Sequence, residues 1–182
     1  MIDEDLEKVF SLVLLEQRKI YLEGRIDDQQ ADKIAKMVLW LNAKYPNQEI
    51  FLYINSKGGN VGAGFDLYDI IKYSESLITG TVFKEANSMA ILVLQACHRR
   101  KMMRHSTMFF HNFEITLGMD WKKFEEESKK RIAENQKSQE DYESIIAGRS
   151  GMKIEEVNRL CEEKRNLAAD EALRLGLVDE IL

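Results

Sequence analysis

Residues 77–97 read LITGTVFKEANSMAILVLQAC. The first seven, Leu77 to Phe83, are rich in β-branched and aromatic side chains and predict a strand. From Ser88 to Cys97 the run is almost unbroken in its apolar character and predicts a helix buried on all sides. A strand, a short link and a buried helix form the repeating unit of an α/β fold. The same unit recurs upstream. Glu49 to Ile54 predicts a buried strand broken by Asn55-Ser56-Lys57-Gly58-Gly59, with a helix from Val61 to about Tyr73. Lys19 to Leu22 predicts the first core strand, ended by Glu23-Gly24. Asp27 and Asp28 are good caps for a helix with Ala31, Ile34, Ala35, Val38 and Leu41 on one face, ending before Pro46, the one proline of the chain. Leu6 to Leu15 has helical apolar spacing.

Downstream, Lys101–His105 and Thr107–His111 predict two short strands. Trp121 to about Ile146 predicts a long charged helix whose apolar positions are too sparse for burial along its whole length, so that it projects or lies on a partner. Ser150-Gly151 ends it. A helix over Lys153–Cys161, another near Asp170–Leu175 and a strand over Leu177–Ile181 complete the chain.

The 182 residues, 45% hydrophobic and 31% charged, fit one soluble domain over 1–182. A net charge of -5 argues against a general nucleic-acid or anionic-membrane surface. Short basic runs such as Arg99-Arg100-Lys101 read as a solvated face. Two cysteines, Cys97 and Cys161, make no disulfide framework, and with three histidines no metal cage or cofactor is expected. The acidic start Met1-Ile2-Asp3-Glu4-Asp5 is unlike a secretory signal, and no apolar stretch is long enough for a membrane span. A reducing compartment is expected, the cytoplasm or an organelle interior.

The chemistry-bearing order is Gly58-Gly59, then Ser88, then His111. Serine is a common helix N-cap and needs no chemistry to explain it. A serine opening a buried helix also places its hydroxyl near unpaired backbone N–H groups and the positive end of the helix dipole, where an attacking oxygen and an oxyanion are both favoured.

The chain resembles the proteolytic subunit of the Clp protease, in the ClpP/crotonase superfamily. The matching residues are Tyr53-Ile54-Asn55-Ser56-Lys57-Gly58-Gly59, Ala63-Gly64 with Tyr68-Asp69, Asn87-Ser88-Met89, His111, Glu171-Ala172 and Gly176-Leu177-Val178-Asp179. The resemblance implies a spiral of strand–helix units, with residues 1–15 an N-terminal segment and 112–149 a projecting handle. It also implies a serine endopeptidase acting on unfolded polypeptide. Ser88 would be the nucleophile, His111 the general base, and the backbone N–H groups of Gly59 and Met89 the oxyanion donors. The implied assembly is a heptameric homo-oligomeric ring, or two such rings stacked around a chamber, fed by an AAA+ unfoldase.

Several positions depart from the family. Lys57 stands where a proline precedes the glycine pair, and Lys84 and Ala90 replace glycines around the serine. Asn112-Phe113-Glu114-Ile115-Thr116-Leu117-Gly118 replaces a Gln-Pro and glycine-rich strand. The triad aspartate position is Lys164, a residue with no acceptor for an imidazole N–H. Three readings stay open. Glu163 or Asn166 supplies the third member, the subunit works as a Ser–His dyad, or it is a non-catalytic ring member beside an active paralogue. A crotonase-type acyl-CoA enzyme would share the fold and the paired N–H site, but no catalytic acid for a thioester can be named.

Overall fold

The computed structural model describes residues 4–114 and 124–182. Its elements are α1 (Glu4–Glu16), β1 (Lys19–Ile26), α2 (Asp28–Lys44), β2 (Ile50–Gly59), α3 (Val61–Tyr73), β3 (Ile78–Asn87) and α4 (Met89–Ala96). There follow β4 (Arg99–Met102), β5 (Thr107–Phe109), α5 (Phe124–Ser150), α6 (Ile154–Glu162), β6 (Asn166–Ala168), α7 (Ala169–Arg174) and β7 (Glu180–Ile181). β1, β2, β3, β4 and β7 lie side by side, all parallel, so each connection is a crossover and the fold is mixed α/β. β3 divides its outer edge: Thr79–Val82 pair with β4, while Glu85–Asn87 pair with β5. β6 runs antiparallel on the far side of β5, with Phe109 opposite Asn166.

The core is built where the sequence is most apolar. Ile50, Leu52 and Ile54 of β2 are buried in alternation with half-buried neighbours, the period-two signature of one sheet face packed inward. Every residue of α4 is buried, and the helix lies between α3, α5 and strands β2 and β3. Gly64 of α3 permits this approach, because a Cβ there would fall 2.5 Å from Cε of Met89. Side-chain caps start two of the surface helices: Asp27 accepts from the Gln30 N–H at 2.8 Å, and Asn60 from that of Ala63 at 2.9 Å. Burial pushes the Cys97 and Cys161 thiols up to about 12, which makes both inert core residues.

Strands β1, β2 and β3 run past the points where turn-forming residues predict their ends. Register shifts at Gly24/Arg25 and between Ile54 and Ser56 absorb the irregular residues. The buried Ser56 hydroxyl bridges the shift, donating to the Gly24 carbonyl at 2.6 Å and accepting from the Gly58 N–H at 3.1 Å. β6 goes unanticipated: its three residues are too few to show a period. The long helix continues to Ser150, and Tyr142, Ile146 and Ala147 are buried at its C-terminal end, so this part docks on the domain. Trp121 and Ile115–Gly118 lie outside the described residues.

Arg100 corrects the reading of its basic run as a solvated face, since it is only 6% exposed. Its guanidinium pairs with Asp179 and donates through Nη1 to Gln95 Oε1 at 2.7 Å and to the Gly176 carbonyl at 2.9 Å. Arg149, at the end of α5, donates to the Gln95 and Cys97 carbonyls at 2.8 and 2.7 Å. Two arginines thus serve the C-terminal end of α4, where the helix dipole favours cations. Burial pushes the Asp179 carboxyl up, but its bonds with Arg100 outweigh this and hold it below the ordinary value. A depressed carboxyl contributes stability that is present above its unfolded pKa and lost as pH falls through the folded one. Asp179→Asn is therefore expected to lower Tm at pH 7 by roughly 3–6 °C. Calorimetry at descending pH should show the gap to the unmodified protein closing below about pH 4; a gap independent of pH would contradict this account.

Candidate active site

Three chain segments converge where β2 and β3 end. Gly58 has φ +82°, and a Cβ on it would stand 2.6 Å from the Asn87 carbonyl oxygen and 2.9 Å from Ser88 Cβ. A Cβ on Gly59 would stand 2.0 Å from the Ile26 carbonyl oxygen. Both positions require glycine: the first for its left-handed backbone and close approach, the second for close approach alone. Gly58 thereby lies against the start of α4, and Gly59 against the end of β1.

Ser88 itself has φ +52° and ψ −124°, a conformation that L-residues adopt at a cost of about 1–3 kcal/mol. It is 5% exposed. Its side chain makes no capping bond to α4, so the simple N-cap explanation of this serine does not describe the structure. The strain is held by neighbours. The Ser88 N–H donates to the Phe109 carbonyl at 2.9 Å, and the Phe109 N–H donates to Asn87 Oδ1 at 3.0 Å. Asn87 is fixed in turn by donation from Nδ2 to Glu85 Oε2 at 2.6 Å.

This clamp ties the serine turn to the strand that leads to the histidine. His111 follows Phe109 by two residues, and the two rings stack with centroids 5.7 Å apart. His111 Nδ1 lies 2.7 Å from the Asn112 carbonyl oxygen. A hydrogen bond there requires the proton on Nδ1, which leaves Nε2 with a free lone pair. Ser88 and His111 line one cavity of about 640 Å³, together with Gly58 and Gly59. No hydrogen bond joins the two side chains; catalytic hydrogen bonds commonly tighten only around substrate. Met89 is fully buried and does not line the cavity, though its N–H, the first of α4, has no intrahelical acceptor.

The cavity rim carries mixed charge. Arg25, Lys57 and Lys84 line it along with Glu23, Glu85 and Glu114. Glu23 accepts from Asn55 Nδ2 at 3.3 Å, whereas none of the three cations is in an ion pair with a described residue.

The residues considered for a third triad member surround the β5–β6 pair. The Phe110 N–H bonds to the Arg165 carbonyl at 2.9 Å, one position beyond the pairing of Phe109 with Asn166, whereas Lys164 lies in the turn that ends α6, its N–H donating to the Cys161 carbonyl at 3.2 Å. Lys164 has φ +50° and is exposed. The Glu163 carboxylate lies 3.8 Å from the Arg165 guanidinium, and Asn166 pairs across the sheet with Phe109. Neither Glu163 nor Asn166 is hydrogen-bonded to His111. Two contributors escaped the sequence reading. The Asn87 side chain had a usable signal, a polar residue ending a buried strand beside the serine. The Asn112 carbonyl had none, because every residue has one.

The fold is an α/β sheet with its cavity at the carboxyl ends of parallel strands, the place where such sheets hold ligands. The family model for Clp protease matches residues 3–182, nearly the whole chain. The chain belongs to the Clp protease family, and is thus a ClpP-like protease subunit and, in general terms, a peptidase. Among the described residues no helix is long and apolar enough to cross a membrane.

Backbone strain at Ser88 has a measurable consequence. Ser88→Gly relieves it and Ser88→Ala keeps it, so thermal unfolding should find the glycine variant more stable by about 1 kcal/mol, despite the entropy of glycine in the unfolded chain. Equal stability, or a more stable alanine variant, would contradict the strained geometry.

Proposed function

We propose that the chain is a serine-type endopeptidase subunit that hydrolyses unfolded polypeptide by an acyl-enzyme route. The observation that carries the reading is the strained, uncapped Ser88 sharing one cavity with His111 and the glycine pair. In this scheme His111 Nε2 takes the Ser88 proton as Oγ attacks the scissile carbonyl. The backbone N–H groups of Gly59 and Met89 receive the oxyanion. The imidazolium then protonates the leaving amine, and water, activated by the same imidazole, releases the acyl group and restores the serine.

The imidazole needs orienting from its Nδ1 side. The geometry favours the Asn112 carbonyl for this task, 2.7 Å away, over Glu163, which faces Arg165, or Asn166. A neutral carbonyl fixes the tautomer but stabilises the imidazolium less than a carboxylate, so catalysis is slow. Replacing a triad aspartate costs about 10⁴ in kcat in a serine protease. Residues 1–182 act as one subunit of a homo-oligomeric ring, heptameric or as two stacked rings, supplied by an AAA+ unfoldase in the cytoplasm or an organelle interior. Lys164 at the position where the resemblance places the triad aspartate favours a second reading, a non-catalytic ring member that retains the serine unused.

A fluorophosphonate separates the two. Intact-mass analysis of the assembled protein is expected to show one adduct per chain, on Ser88, absent in Ser88→Ala and slowed about 10³-fold or more in His111→Ala; no adduct on Ser88 leaves the non-catalytic reading. Lys164→Asp should raise peptide hydrolysis about tenfold or more by restoring a carboxylate acceptor. Glu163→Gln and Asn166→Ala should leave the rate unchanged, and a tenfold loss in either would transfer the orienting role to that residue.

A further inference from the structure

Helix α5 reaches both halves of the site through two residues one turn apart. Tyr142 is fully buried, and its hydroxyl donates to the Ser88 carbonyl oxygen at 3.3 Å. Its ring meets Phe113 edge-on, with centroids 5.2 Å apart. Gln139 Oε1 accepts from the Phe113 N–H at 2.9 Å, and its Nε2 donates to Glu143 Oε1 at 2.7 Å. Asn158 of α6 donates to the same carboxylate oxygen at 3.4 Å, which fixes this face of α5 from behind. One helix face therefore holds the backbone of Ser88 and, separately, the residue two positions beyond His111.

Both held segments need such support. Ser88 is in a strained conformation, and among the described residues its carbonyl otherwise accepts only from the Ile91 N–H of α4. Asn112 to Glu114 are irregular, with no ladder to fix them. Burial pushes the Tyr142 phenol well above its ordinary value, so the hydroxyl remains a donor.

We propose that Tyr142 is a positioning residue which, with Gln139, sets the spacing of Ser88 and His111 from α5. The proposal rests on the serine-peptidase reading of the site. Tyr142→Phe removes only the hydroxyl, and Gln139→Met only the amide. Each is expected to lower both the fluorophosphonate labelling rate of Ser88 and kcat on a fluorogenic peptide by roughly three- to tenfold, with KM unchanged. Ile146→Val, a packing change on the same buried helix end, should lower Tm while leaving the rate per folded subunit unaltered. Labelling of Tyr142→Phe at the unmodified rate overturns the proposal, as does a loss that tracks Tm across all three variants. Should Tyr142→Phe fail to fold, Gln139→Met decides by the same measure. Unmodified protein that does not label at all removes the peptidase reading and this proposal with it, a failure visible before any variant is compared.

Discussion

The site depends on how closely the end of β2 approaches the turn between β3 and α4. Gly58 leaves no room for a side chain against Asn87 and Ser88, and Gly59 none against Ile26. With β2 pressed into place, the chain leaving β3 must reach α4 through the strained conformation of Ser88. Hydrogen bonds from the Ser88 N–H to the Phe109 carbonyl and from the Phe109 N–H to Asn87 hold that conformation, and the same strand leads to His111. One steric constraint thus propagates into the location of every group in the cavity. The cost is local, while the large buried core around α4 absorbs it.

The α/β alternation was legible because its signals are long: the apolar run of α4, the cap and buried face of α2, the parallel-strand composition of β2 and β3. Strand ends were not, since Glu23-Gly24 and Asn55–Gly59 carry turn chemistry but sit in bulged, still-paired strand. Arg100 deceived for a related reason. A basic triplet looks solvated in sequence, and only the fold brings Asp179 and the carbonyls of distant segments around its middle member. Ser88, His111 and the glycine pair were readable as residue types in order, and the structure gathers them at one cavity. Their supports were hidden, because hydrogen bonds to main-chain atoms, such as those from Tyr142 to Ser88 and from His111 to Asn112, leave no pattern in side-chain identity.

Electrostatics divide the molecule into two regimes. At the C-terminal end of α4, the buried Arg100 and the half-buried Arg149 meet carbonyls, and Arg100 also pairs with the Asp179 carboxylate, an arrangement that favours rigidity. At its N-terminal end the cavity rim carries Lys57 and Lys84, neither of them in an ion pair with a described residue. Such rim charges contribute little to folding, yet they face whatever enters the cavity.

The strand that leads to the histidine takes its outer partner from a segment that follows α6 in the chain: β5 is paired by β6, and the Phe110 amide by Arg165. A polypeptide still emerging from the ribosome has the serine turn long before it has that partner. The strand beside the serine turn is therefore paired on its outer side only once α5 and α6 have been made, which separates the appearance of that turn in the growing chain from the completion of its surroundings.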